Sequence, residues 1–245
     1  MVQAANFRAA LNHLRTALLK LKPTGLDGFE GLLATVLGRI AGQDFRLAKS
    51  GLQNGKDGAT MPSTSRHIAF EAKRYDGRID GKEVLSKITQ LIGTFSPPDL
   101  WVLGATVEVD TQLIDNIHTA ASKNGIGVIV IDWPKTSSMP PLAILCALAP
   151  DETCAFLREY VGDIACVQKA EAALSEIPQS TEFRAHADAL VKTIQEPSLA
   201  LGNARAANAK WLEAVFADRS RARATFGQVL APNAGGPLSL QPRSE

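Results

Sequence analysis

His67-Ile68-Ala69-Phe70-Glu71-Ala72-Lys73-Arg74-Tyr75 reads as a buried strand that ends on ionisable side chains. Alternation places Ile68, Phe70 and Ala72 on one face, and His67, Ala69, Glu71 and Lys73 on the other. The first set can pack on a core helix, so Glu71 and Lys73 point together into a shared space. Upstream, Gly51-Leu52-Gln53-Asn54-Gly55-Lys56-Asp57-Gly58 is a turn-rich segment carrying one carboxylate, Asp57.

An aspartate, a glutamate and a lysine gathered at a strand end supply what metal-dependent phosphodiester cleavage needs. Magnesium takes oxygen ligands and commonly sits on one or two carboxylates together with phosphate and water. Asp57, Glu71 and the backbone carbonyl of Ala72 are the candidate metal ligands. Lys73 is the candidate to orient or activate a water and to offset charge in the transition state. The bland alternative is a solvated strand face bearing an ordinary ion pair.

At these residues the chain resembles the restriction-endonuclease-like (PD-(D/E)xK) nucleases, whose signature is an Asp followed at variable distance by Glu-x-Lys. It is most similar to the Mrr-like branch, with Phe29-Glu30 on a helix, Lys56-Asp57-Gly58 in a turn and Glu71-Ala72-Lys73 on a strand. The resemblance covers roughly residues 24–132. It implies an α/β fold with a mixed sheet flanked by helices, a Mg2+ cofactor (Mn2+ as substitute) and a DNA endonuclease activity. Asp57, Glu71 and Lys73 would be catalytic, with Glu30 and Gln53 assisting. It further implies double-stranded DNA as partner, a homo-oligomer for cutting both strands, and an effector role in prokaryotic antiviral defence, with sensor or NTPase parts in further domains or subunits. The rival is an inactive nucleic-acid-binding or protein-interaction module of the same fold.

Two look-alike motifs fall away. Asp80-Gly81-Lys82 repeats the acidic-x-Lys triplet, but among turn residues with no apolar alternation leading into it. Gly51–Lys56 superficially resembles a phosphate-binding loop, yet its glycine spacing is one short and Asp57 replaces the required Ser or Thr.

The totals set the frame. Over 245 residues, 45% apolar and 21% charged content describe a globular chain able to bury a large core. The net charge is only +1, but residues 39–90 hold ten positive against six negative side chains, which suits a phosphate backbone. Three cysteines and four scattered histidines offer no zinc spacing and fit a cytoplasmic protein. No apolar run approaches the ~20 residues that span a membrane, and no membrane partner is expected.

Along the chain, amphipathic helices are expected over 4–21 and 28–41, the second capped by Asp27. Glu30 in its first turn either favours the helix dipole or reaches the cleft. A first strand spans Asp44–Ala48, and a helix of Val84, Leu85, Ile88, Leu91 and Ile92 ends at Gly93, with Lys87 and Gln90 as minor site candidates. Strands at 100–104 and 126–131 flank a helix at 110–123, implying a parallel pair. Asp132 is best read as a turn former and His118 as structural. The domain organisation expected is a nuclease domain at 1–140, a helical appendage of four to six helices at 141–230 and a linker or disordered tail at 231–245. Within the appendage, Arg205, Lys210, Arg219, Arg221 and Arg223 make one side basic.

Overall fold

The computed structural model describes residues 2–48, 55–61, 66–94 and 97–196. Gln53, the basic 204–223 stretch and the 231–245 tail lie outside these residues. The elements run α1 (Val2–Lys20), α2 (Phe29–Ala41), β1 (Phe45–Leu47), β2 (Gly58–Thr60), β3 (Ile68–Lys73), α3 (Gly81–Ile92), β4 (Leu100–Ala105), α4 (Thr111–Ser122) and β5 (Gly127–Ile131). There follow α5 (Pro141–Leu148), α6 (Pro150–Tyr160), α7 (Ile164–Glu176), a short 3-10 turn (Ile177–Gln179) and α8 (Thr181–Gln195). The architecture is α/β.

The five strands lie in chain order, β1-β2-β3-β4-β5. β1, β2 and β3 pair antiparallel, whereas β3, β4 and β5 are parallel, so the sheet is mixed. β3 sits at its centre, buried on both faces. Ile68, Phe70 and Ala72 join Val102, Ile129 and Ile131 in a core that continues into α1, α2 and α5 to α8. Ala69, Trp101, Leu103, Ala105, Val128 and Val130 meet α3 and α4 on the opposite face. The near-continuous apolar runs of β4 and β5 follow from this double coverage. Among the described residues, no helix is long and apolar enough to cross a membrane.

The helices after residue 140 share the first core. In α5, Pro141 through Ala147 are all buried, as expected of a helix that is apolar all round. Pro150 opens α6, and Asp163 caps α7 by accepting from the Cys166 N–H. Ser180 caps α8 through the Phe183 N–H.

Two local expectations need correction. Asp27 does not cap α2. The cap position is Gly28, which makes no side-chain bond, and the Asp27 carboxylate pairs with Lys22. The loop folds back so that backbone carbonyls meet the first helical donors: Phe29 N–H donates to Lys22 O (2.8 Å) and Gly31 N–H to Gly25 O (3.1 Å). A Cβ at position 28 would stand 2.4 Å from the Thr24 carbonyl oxygen, so this closure requires glycine. The second correction is β2, which forms over Gly58–Thr60 where the sequence shows only the border of a turn and a loop.

Arg66, just before β3, fastens α8 to the sheet. It is 1% exposed, and its Nη1 donates to the Thr193 (2.6 Å) and Ile194 (2.9 Å) carbonyls that end α8. Those carbonyls have no partner within the helix. Replacing Arg66 with Met should therefore cost about 1.5–3 kcal/mol, the range for hydrogen bonds to a charged group. Chemical denaturation of the two proteins measures it.

Candidate functional site

The site is built at the C-terminal end of β3, where β2 has already stopped. Gly58 pairs with Phe70 and no ladder partner follows. Asp57 takes over that edge. Its N–H donates to Phe70 O (2.8 Å), and its Oδ2 accepts the Ala72 N–H (2.8 Å). Asp57 thus grips β3 on either side of Glu71. Because N–H and C=O of one extended residue point to the same side, the Ala72 carbonyl also turns toward Asp57. The approach to Asp57 needs Gly55, at φ +78°, where a Cβ would lie 1.9 Å from the Lys87 carbonyl oxygen of α3.

Glu71 and Lys73 leave β3 toward α3. Glu71 is fully buried and Lys73 nearly so. The Lys73 Nζ stands 2.8 Å from Glu71 Oε1 and 2.6 Å from Glu83 Oε1 on α3. The Tyr75 hydroxyl donates to the other Glu83 oxygen at 3.1 Å. Lys87, one turn further along α3, places its Nζ 3.7 Å from Glu71 Oε1. Close as Lys73 is, its approach is off the hydrogen-bond directions, and neither Glu71 oxygen has an aligned donor among the described residues.

Burial pushes the Glu71 carboxyl up to about 7, the Asp57 charge adds to the shift, and Lys73 and Lys87 oppose it. Asp57 is also raised by burial, against the pull of the Ala72 N–H. For Lys73, burial alone would favour the neutral amine, but Glu71 and Glu83 outweigh it and hold the group above its ordinary value. Lys73 is a cation at neutral pH. Glu83 is lowered by its hydrogen bond from Lys73.

Glu30 lies in the first turn of α2. Its Oε2 accepts the Gly25 N–H at 2.8 Å, closing the loop before α2. Its carboxyl is raised by burial, against the pull of the Gly25 N–H. Gln53 lies outside the described residues. Gln90 is exposed and bonds Ser86 on its own helix. The look-alike Asp80 caps α3 through the Lys82 N–H. Asp132 is buried and its Oδ2 accepts the Val109 N–H at 2.8 Å, joining the loops beyond β4 and β5.

Glu83 and Tyr75 are what the sequence reading misses. Glu83 follows Asp80 by three residues, the spacing of a capping box. That pattern announces a helix start and hides a side chain directed at Lys73. No family model matches this chain, and neither the curated proteins nor the solved structures contain a match. What the cluster does must be read from its own chemistry.

Among the described residues no three His, Cys, Asp or Glu side chains gather as a metal site. The donors available are two carboxylates, Asp57 and Glu71, and one backbone carbonyl. Such a set suits a hard cation that keeps several waters.

The raised Glu71 carboxyl has a consequence for stability. Its value lies above the ordinary 4.5, so between about pH 4.5 and 7 the folded state binds more protons than the unfolded one. Stability contributed by this group is present at low pH and falls as pH rises through that window. In chelator, Glu71→Gln should flatten the decline, by up to roughly 3 kcal/mol across it. Denaturant unfolding at half-unit pH steps measures the difference in slope.

Proposed function

We propose that this chain is a metal-dependent DNA endonuclease with a restriction-endonuclease-like core. One observation carries the reading: Asp57, brought in by β2, flanks the buried Glu71 at the end of β3, with Lys73 beside it. The order of helix with Phe29-Glu30, strand, turn with Asp57, strand with Glu71-Ala72-Lys73 and helix is consistent with the family pattern.

The residues fit a divalent cation. Glu71 is a fully buried carboxylate next to a second carboxylate, and among the described residues neither of its oxygens has an aligned donor. Burying two neighbouring carboxylates is costly even with Lys73 beside them, and a cation would relieve the cost. Asp57, Glu71 and the Ala72 carbonyl would hold Mg2+, or Mn2+ in its place. When bound, the cation would polarise a phosphoryl oxygen and lower the pKa of its water.

The chain's own groups divide the remaining work. The Ala72 N–H holds the Asp57 carboxylate in one orientation. Lys73, being charged, acts by orienting a water and offsetting phosphate charge, not by accepting a proton. Lys87 brings a second positive charge to the same face. Glu30 fixes the loop before α2 while adding negative charge near Asp57. Duplex cleavage calls for two such centres, hence a homo-oligomer. A cytoplasmic defence effector, triggered by a sensor or NTPase in another domain or subunit, is the setting that the family resemblance suggests.

Plasmid or linear duplex incubated with Mg2+ or Mn2+ should be cut, with activity rising from pH 6 to 8 as Glu71 ionises. Asp57→Asn, Glu71→Gln and Lys73→Met should each reduce the rate by roughly 10²–10³. Independently of cleavage, Mn2+ should raise the melting temperature more at pH 8 than at pH 6, since ligation requires the ionised carboxylate. Asp57→Asn should abolish that rise. DNA binding without cutting would point to an inactive module, and no thermal response together with no cutting would sink the enzyme reading.

A further inference from the structure

We infer that Glu83 is a positioning residue, placed to draw Lys73 away from Glu71 so that the Asp57–Glu71 carboxylates are released for a divalent cation. This rests on the reading of the site given above and deepens it.

The geometry is a single ammonium between two carboxylates, 2.8 Å from Glu71 Oε1 and 2.6 Å from Glu83 Oε1. Glu71 is the buried partner. Glu83 is the accessible one, its side chain 39% exposed. Glu83 is not free to wander, because the Tyr75 hydroxyl donates to its Oε2. Tyr75 is anchored in turn by Thr106, whose Oγ1 accepts the Tyr75 N–H (2.9 Å) and donates to the Tyr75 carbonyl (2.6 Å). The chain Thr106–Tyr75–Glu83 thus ends in a fixed anion facing Lys73.

An ammonium carries three donors and no preferred plane. Lys73 can keep Glu83 while giving up Glu71, and its charge stays paired throughout. Without Glu83, the amine has Glu71 as its sole close anion among the described residues and competes with any cation for that carboxylate. Lys87, at 3.7 Å from the same oxygen, is the weaker competitor. Neither the α3 capping role of Asp80 nor the packing of Val84 and Ile88 requires a carboxylate at position 83.

A double-mutant cycle on Mn2+ affinity tests this, by calorimetry on the full chain at pH 8, with melts to verify folding. Glu83→Gln should weaken Mn2+ binding roughly tenfold when Lys73 is present, and by less than about twofold in a Lys73→Gln background. Tyr75→Phe, which keeps the Glu83 charge but loosens it, should weaken binding in the same direction by less. Equal weakening in both backgrounds would mean that Glu83 attracts the ion by charge alone and would overturn the proposal, as would unchanged affinity in Glu83→Gln. Wild-type protein that binds no Mn2+ would overturn the cation reading of the site itself, a result distinct from binding indifferent to Glu83.

Discussion

A carboxylate buried in the middle of a protein has to be answered by something, and Glu71 is such a group. It lies on the central strand, fully removed from water, where an unpaired charge would shed its ionisation or unfold its surroundings. The neighbouring features are arranged around it. β2 begins only at Gly58, opposite Phe70, which leaves the edge beside Glu71 free of a ladder partner. Asp57 fills the gap with backbone bonds of its own, and α3 brings Lys87 and Glu83 to the opposite side. The result is a cluster of nearly balanced charge whose least satisfied member is Glu71.

The sheet makes this arrangement affordable to the rest of the fold. Its two faces are covered by separate apolar clusters, one reaching α1, α2 and the helices after residue 140, the other reaching α3 and α4. Close packing on both sides keeps β3 from shifting its register, which would swap every side chain to the wrong face. Arg66 extends the same control outward, since the residue that opens the approach to β3 also closes the far end of α8.

Much of this was legible from local pattern. Period-two alternation in β3 separates Phe70 from Glu71, and helical spacing marks α1, α2, α3 and α4, because burial on one face imposes a period that any reader of the chain can count. The α2 cap was not legible, since the donors that Asp27 might have met are satisfied by the carbonyls of Lys22 and Gly25, reached only when the loop folds back. Nor was β2, whose three residues, Gly58-Ala59-Thr60, are too few to carry a period and exist as a strand because β1 and β3 flank them.

By itself, then, the amino-acid order determined which apolar faces would be inside, that the 67–75 stretch would be a buried strand, and that an acid and an amine would share one face of it. Only the tertiary structure decided that Asp57 clasps the backbone around that acid, that the amine stands between two carboxylates, and that Tyr75 and Glu83 belong to the same cluster. The physical reason is range. Burial periodicity is written into neighbouring positions, whereas charge pairing depends on distances of a few ångströms between side chains whose separation along the chain carries no period.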